Sequence, residues 1–139
     1  MTDDAFPITI FHTPGCGTSR NTLAMIEAAG YAPTVVPYKQ TGWTKPQLER
    51  LLAAMDARPR DVLRAKEPRA AELGLTAPDA SDDQILDAMV ADPILVERPI
   101  VQTPRGTKLC RPSEEVLGLL ERKPDGFARE DGEVVIPQA

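Results

Sequence analysis

The first forty residues alternate between two kinds of pattern, and this alternation limits the fold more than any other feature of the chain. Residues 7–12 (PITIFH) and 33–38 (PTVVPY) are rich in β-branched and aromatic side chains, which predicts two strands. Between them, residues 18–29 place Leu23, Ile26 and neighbouring alanines on one helical face. A β–α–β unit of this kind pairs its strands in parallel by default, through a right-handed crossover.

The rest of the chain adds helices and then more strands. Thr44 with Gln47, and Ser81 with Gln84, form capping-box patterns ahead of apolar runs. Two shorter helical pieces, each beginning near a proline, lie between these helices. After them, ILVE and PIVQT predict strands, a TPRGT turn and KLCR complete a hairpin, and a last helix begins near Pro112.

The order of these elements predicts an α/β fold of thioredoxin-like type. We expect one domain over residues 1–139, built on a mixed four-stranded sheet. A helical insertion at about residues 44–92 separates the second strand from the third. A charged tail begins at about residue 123, and its small apolar group at residues 134–136 is expected to dock on the domain.

Composition excludes several classes of protein. The chain has a formal charge of -5, two cysteines and one histidine. A general nucleic-acid binder carries a basic surface, a structural zinc site needs more Cys and His ligands, and a membrane span needs a long apolar run. The N-terminus has no pattern of a secretory signal. We therefore expect a cytoplasmic monomer without a metal site and without binding to nucleic acid or membranes.

Cys16 is the main candidate for chemistry, because it stands directly before a predicted helix. Unpaired backbone N–H groups and the positive end of the helix dipole stabilise a thiolate there. Gly17 lets backbone approach a ligand closely, and Thr18, Ser19 and Arg20 supply hydroxyls and a guanidinium that suit a tetrahedral oxyanion. The alternative is an inert cysteine buried at a tight turn.

The spacing around Cys16 excludes two related chemistries. A dithiol oxidoreductase needs a second cysteine three residues on, where Ser19 stands. A phosphatase-type loop needs an arginine six positions after the cysteine, where Thr22 stands. Cys16 is therefore expected to react without a second protein thiol, and the electrons for a reduction must come from another molecule.

Three sequence runs resemble one family closely. They are HTPGCGTSRNTL (residues 12–23), VLRAKEP around Arg64, and ERPIVQTPRGTKLCRPSE (residues 97–114). Together they resemble the glutaredoxin-coupled arsenate reductases, in the same order and over nearly the whole chain. Looser relatives of the fold share only Cys-x-x-Ser-Arg and Arg-Pro-Ile. The longer motifs CGTSR and LCRPSE therefore distinguish the arsenate reductases from those relatives.

The resemblance implies roles for individual residues. Cys16 would be the nucleophile, with Arg64, Arg98 and Arg111 around the oxyanion, where forked guanidiniums hold oxygens and stabilise charge. The bond between Arg98 and Pro99 is expected to be cis, as is usual for a proline that faces the cysteine in thioredoxin-like folds.

Three other residues carry secondary expectations. His12 either raises the thiolate fraction as an imidazolium or simply ends the strand. Cys110 is expected to be buried and structural, because the mechanism that the resemblance implies needs one protein thiol. Trp43 is expected either in packing or on a loop surface.

The implied activity is reduction of arsenate to arsenite, in arsenic detoxification, through a thioarsenate on Cys16. Glutathione would be the co-substrate and glutaredoxin the partner, with no tightly bound cofactor, and phosphate or sulfate would compete as oxyanions. One alternative is a noncatalytic redox-sensing regulator that binds RNA polymerase, which Ser19 disfavours because such proteins use a Cys-x-x-Cys switch. The other is a monothiol oxidoreductase, for which three arginines would be surplus.

Overall fold

The computed structural model describes residues 6–137, which divide into two compact units. The first combines the segment that ends at Pro37 with the segment that begins at Arg98, and the second is Tyr38–Glu97. The predicted insertion lies within the second unit. Within residues 6–137 no helix is both long enough and apolar enough to cross a bilayer.

A mixed four-stranded sheet and one helix form the centre of the first unit. These elements are β1 (Thr9–Phe11), α1 (Gly17–Ala28), β2 (Thr34–Val36), β3 (Ile100–Thr103) and β4 (Gly106–Leu109). The strand order is β2-β1-β3-β4. β1 pairs in parallel with β2 and antiparallel with β3, and β3 pairs antiparallel with β4. Helix α1 connects the two parallel strands, as the sequence pattern predicts.

The buried face of α1 is more polar than the sequence suggests. Met25 and Ile26 are fully buried in the same cluster as Ile10 and Val101 of the sheet. The other buried positions of the helix are Ser19 and Thr22, whereas its alanines, Ala24 and Ala28, are exposed. The predicted apolar face is thus present in Leu23, Ile26 and Ala29, which lie in or against the core, but two hydroxyl side chains that find hydrogen-bond partners take buried positions where alanines are expected.

The second unit is helical. It contains α2 (Tyr38–Thr41), α3 (Lys45–Met55), α4 (Pro68–Glu72), α5 (Asp82–Ala91) and two 3₁₀ helices, Pro59–Val62 and Pro93–Leu95. Thr44 and Gln47 form the predicted capping box, while the Ser81 hydroxyl accepts from the backbone N–H of Gln84. The strand predicted at ILVE is wrong: Pro93 starts a 3₁₀ turn, and only Val96 makes an isolated bridge, to Leu63.

The segment after β4 differs from its prediction in helix type. A 3₁₀ helix, Ser113–Leu119, stands where a last α-helix is expected, and Gly118 near its end lowers the preference for a regular helix. The tail forms an antiparallel pair, β5 (Phe127–Ala128) and β6 (Val134–Ile136), which we call the tail hairpin. Val135 packs against the core of the first unit, as expected for a docked tail, whereas Val134 is exposed.

Candidate active site

A short loop places Cys16 at the beginning of α1. His12 continues the line of β1, and its N–H donates to the carbonyl oxygen of Val36 at 2.8 Å. The Cys16 N–H then donates to the Thr13 carbonyl at 3.0 Å, which closes a turn. Cys16 has extended backbone angles, φ -101° and ψ 122°, and its carbonyl accepts from Arg20 at 2.9 Å. Cys16 is therefore the N-terminal capping position of the helix, as the sequence predicts.

The surroundings of the Cys16 sulfur favour its thiolate. Partial burial acts to raise the pKa of the thiol, but the backbone N–H of Ser19, a hydrogen bond from Arg111 and the charges of Arg111 and Arg98 outweigh it and lower the pKa below its ordinary value. Nη1 of Arg111 lies 3.9 Å from Sγ. A half-buried thiolate with a cationic neighbour is a competent nucleophile.

The β3–β4 hairpin brings Arg98 and Arg111 together from either end. Arg98 precedes β3 and is buried, with 6% of its surface exposed, and its carbonyl accepts from Nη1 of Arg111 at 2.8 Å. The Cys110 N–H donates to the Pro99 carbonyl at 2.9 Å, which joins the two ends. The cis bond predicted before Pro99 is present, and a second cis bond, between Arg111 and Pro112, was not expected from the sequence.

His12 is bound to Ser19 through side chains. Its Nδ1 atom lies 2.6 Å from the Ser19 hydroxyl oxygen, which also accepts from the Thr13 N–H at 3.1 Å. Burial, then the positive charge of Arg20, lower the pKa of His12 against an opposing effect of Glu27. This favours a neutral imidazole whose Nδ1 accepts the Ser19 hydroxyl proton, rather than an imidazolium beside the thiolate.

Arg20 is engaged by residues of its own unit. Its Nε and Nη2 donate to the two carboxylate oxygens of Glu130 at 2.8 and 3.0 Å, and its Nη1 donates to the Pro14 carbonyl at 2.8 Å. Arg20 is expected from the sequence to bind substrate, whereas nothing in the sequence indicates Glu130, because 110 residues separate the two and no local pattern connects them.

A polar cleft of about 480 Å³ opens beside the start of α1. Gly17 and Thr18, the two residues after Cys16, form part of its wall, and the turn of the tail hairpin forms another part. The cleft is lined by Gly17, Thr18, Asn21, Pro112, Ser113, Arg129, Glu130 and Asp131. The cleft therefore reaches the two residues that directly follow Cys16.

Arg64 belongs to the second unit, where it pairs with Glu97. Its Nη1 lies 2.6 Å from a Glu97 carboxylate oxygen, and both side chains are largely buried, at 15% and 19% exposed. The Arg64 N–H donates to the Leu95 carbonyl at 2.8 Å. Trp43 lies in the same unit, buried, with its ring 4.9 Å from that of Tyr38, so it serves packing.

Cys110 is a buried thiol with no exposed surface, as the sequence analysis expects. Burial raises its pKa to about 12. Its sulfur donates weakly to the Lys108 carbonyl, at 3.7 Å. Cys110 is therefore protonated and inert near neutral pH, which leaves Cys16 as the reactive thiol.

Known proteins resemble this chain over most of its length. The sequence model of the ArsC family matches residues 11–119. The arsenate reductase ArsI2 of Synechocystis sp. is 59% identical over 132 residues, covering 94% of this chain and 94% of that protein. The arsenate reductase of Escherichia coli is 48% identical over 133 residues, covering 95% of this chain and 94% of that protein.

The solved structure of an arsenate reductase from Vibrio cholerae resembles this fold, with a TM-score of 0.79 and 38% sequence identity, over 83% of this chain and 98% of that chain. The expected thioredoxin-like fold is confirmed by this neighbour and by the mixed four-stranded sheet. The residues that the ArsC family model matches include the Cys16 loop and the whole hairpin that carries Arg98 and Arg111. The chain therefore belongs to the ArsC family.

Proposed function

We propose that this protein reduces arsenate to arsenite and thereby detoxifies arsenic, with Cys16 as the nucleophile. One observation carries the proposal: the Cys16 sulfur lies at the start of α1, 3.9 Å from Arg111, with its pKa lowered in favour of the thiolate. Relatives named arsenate reductases, at 48% to 59% identity, support arsenate as the substrate.

In the first step the Cys16 sulfur attacks the arsenic atom. A sulfur–arsenic bond forms, one arsenic–oxygen bond breaks, and that oxygen leaves as water, with its protons supplied by the hydroxyl groups of arsenate and by solvent. Arsenic stays pentavalent, because this step is a condensation. Arg98 and Arg111 hold the remaining oxygens and offset their negative charge.

The second stage supplies two electrons from outside thiols. Glutathione condenses with the thioarsenate, forming a second sulfur–arsenic bond and releasing water. A glutaredoxin thiolate then attacks the glutathione sulfur; a mixed disulfide forms, and the electron pair of the glutathione–arsenic bond reduces arsenic to the trivalent state. Hydrolysis of the remaining bond to Cys16 releases arsenite. The cleft beside Gly17 and Thr18 is the proposed approach for glutathione.

The other residues have subordinate roles in this proposal. Backbone N–H groups at Gly17 and Thr18 face the bound oxyanion, while Ser19 holds the thiolate through its own N–H. Arg64 is proposed as a third guanidinium for the reaction on the family resemblance. Phosphate and sulfate, as tetrahedral oxyanions, compete with arsenate. We propose a monomer that works in the cytoplasm, where glutathione is abundant, with no tightly bound cofactor.

A coupled assay tests the proposal. Purified protein is mixed with arsenate, glutathione, glutaredoxin, glutathione reductase and NADPH, and arsenate-dependent NADPH oxidation is followed together with arsenite formation. We expect turnover that Cys16→Ser abolishes and that Cys110→Ala, the matched change at the other cysteine, preserves. Arsenite production by the Cys16→Ser variant would overturn the proposal. NADPH oxidation that responds to a disulfide substrate and not to arsenate would favour a monothiol oxidoreductase instead.

A further inference from the structure

The turn of the tail hairpin is attached to the first turn of α1 by three side-chain hydrogen bonds. Two of them form the forked pair between the Arg20 guanidinium and the Glu130 carboxylate, at 2.8 and 3.0 Å. In the third, the Glu130 N–H donates to the side-chain oxygen of Asn21 at 3.0 Å. Parallel N–H donors on a carboxylate fix its orientation more firmly than a single contact does.

Arg20 transmits this attachment to the loop that carries the nucleophile. Its remaining terminal nitrogen, Nη1, donates to the carbonyl of Pro14, two residues before Cys16. Its backbone N–H donates to the carbonyl of Cys16 itself. One residue therefore holds the loop at both positions, and Glu130 determines where its guanidinium lies.

The opposite charges of Arg20 and Glu130 stabilise this attachment. The hydrogen bond and charge of Glu130 raise the pKa of Arg20, and those of Arg20 lower the pKa of Glu130. The pair therefore stays ionised across the working pH range, and the Glu130 carboxylate offsets the positive charge of Arg20. The guanidinium is thereby occupied by protein contacts, which makes it a support for the loop.

The turn of the tail hairpin has a second attachment, through the residue next to Glu130. Arg129 pairs with Glu114 of the 3₁₀ helix and with Glu133 across the turn. Glu130 is thus presented to Arg20 from a turn that has its own attachment to the domain.

We propose that Glu130 is a positioning residue for the reaction, which acts through Arg20 and the Pro14 carbonyl to hold the Cys16 loop in its reactive geometry. This inference rests on the proposed function for its effect on turnover. It also gives the tail hairpin a role in the active site: residues more than a hundred positions away in sequence support the nucleophile.

The experiment measures two quantities in a Cys110→Ala background: the midpoint pH of Cys16 alkylation by iodoacetamide, and kcat and KM for arsenate in the coupled assay. The variants are Glu130→Gln, Arg20→Gln and the double variant. We expect each single variant to move the alkylation midpoint to higher pH and to lower kcat about two- to fivefold, the range typical of an exposed charged pair. In Glu130→Gln the uncompensated charge of Arg20 would by itself lower the pKa of Cys16, so a midpoint at higher pH reports a displaced loop. KM should change less, because Arg98 and Arg111 are untouched.

A matched control is available in the same unit. Lys108 and Glu115 form an ion pair of the same 2.8 Å length and similar exposure, 47% and 44% against 44% and 50% for Arg20 and Glu130. Glu115→Gln should leave both the alkylation midpoint and kcat unchanged. Glu130→Asp, which keeps the charge on a shorter side chain, should recover part of the loss.

The double variant tests whether Arg20 and Glu130 act through one connection. Its kcat should fall no further than that of either single variant, because both changes remove the same connection; additive losses of kcat would overturn the inference. An unchanged midpoint and kcat in Glu130→Gln, or an equal loss in Glu115→Gln, would overturn it as well. Circular dichroism and thermal melting show whether each variant is folded, and Glu130→Asp serves if Glu130→Gln is not. Alkylation uses no arsenate, so a shifted midpoint without any wild-type turnover refutes the proposed function and retains the positioning role.

Discussion

Nη1 of Arg111 lies 3.9 Å from the sulfur of Cys16. The same nitrogen donates to the carbonyl of Arg98 at 2.8 Å, so the guanidinium beside the sulfur is held by the opposite end of the hairpin. Cys16 and Arg111 are 95 residues apart in sequence, and the hairpin fixes their contact.

Replacing Arg111 should weaken the nucleophile. Because its hydrogen bond and charge lower the pKa of Cys16, Arg111→Gln should raise that pKa and shift iodoacetamide alkylation to higher pH. We expect kcat/KM for arsenate to fall about tenfold or more, since hydrogen bonds to charged groups contribute about 1.5–3 kcal/mol. Arg105→Gln, on the same hairpin, is the control, and an equal effect there would contradict a specific role for Arg111.

His12 should be replaceable by an isosteric acceptor. His12→Asn puts an amide oxygen near the position of Nδ1 and should keep the Ser19 hydroxyl bonded, with the Cys16 alkylation midpoint unchanged. His12→Ala leaves that buried hydroxyl without its acceptor and should lower the free energy of unfolding by about 1–3 kcal/mol in urea titrations. A midpoint raised in His12→Asn would instead indicate that an imidazolium stabilises the thiolate.

Cys110 should make the protein less stable in alkali. Its pKa is about 12 in the folded state against an ordinary 9.0, so above pH 9.0 the unfolded state loses the thiol proton first. The free energy of unfolding should therefore fall as pH rises from 9 towards 12, and the contribution of the buried neutral thiol is fully present only below that window. Cys110→Ala should reduce this slope in urea titrations at pH 8 and pH 10.5. Equal slopes in the two proteins would count against it.

Variants of Arg64 and Glu97 should distinguish an effect on stability from an effect on turnover. Arg64→Ala removes the ion pair of a largely buried carboxylate, so both stability and kcat/KM should fall. Adding Glu97→Gln neutralises that carboxylate and should restore much of the melting temperature. If Arg64 takes part in the reaction, as the family resemblance implies, kcat/KM stays low in the double variant. Recovery of kcat/KM together with stability would give Arg64 a structural role only.

Local patterns predict several elements of the fold correctly, because each depends on residues close in sequence. The strand–loop–helix around Cys16, the capping box at Thr44 and the hairpin before Arg111 are all signalled within a few positions. The strand predicted at ILVE is wrong because Pro93 imposes a helical turn on an apolar run that would otherwise suit a strand.

The partners of the site residues could not be predicted in this way. Arg20 is expected to be an anion ligand, because a guanidinium near a helix start suits an oxyanion. In the structure it pairs with Glu130, and only the folding of the tail brings the two together. In the same way, the buried hydroxyl of Ser19 takes a position that helical periodicity alone assigns to apolar side chains, because His12 and Thr13 satisfy it.

The β3–β4 hairpin has a consequence for engineering this protein. Four residue pairs, from Ile100 opposite Leu109 to Thr103 opposite Gly106, set the register of its strands. Arg98 and Arg111 stand just outside the open end of that ladder, whereas the connecting turn lies at the far end. The spacing of these two arginines is therefore determined by interstrand hydrogen bonds, so a peptide tag inserted in the turn would leave that spacing intact, whereas a one-residue deletion within either strand would displace one arginine relative to the other.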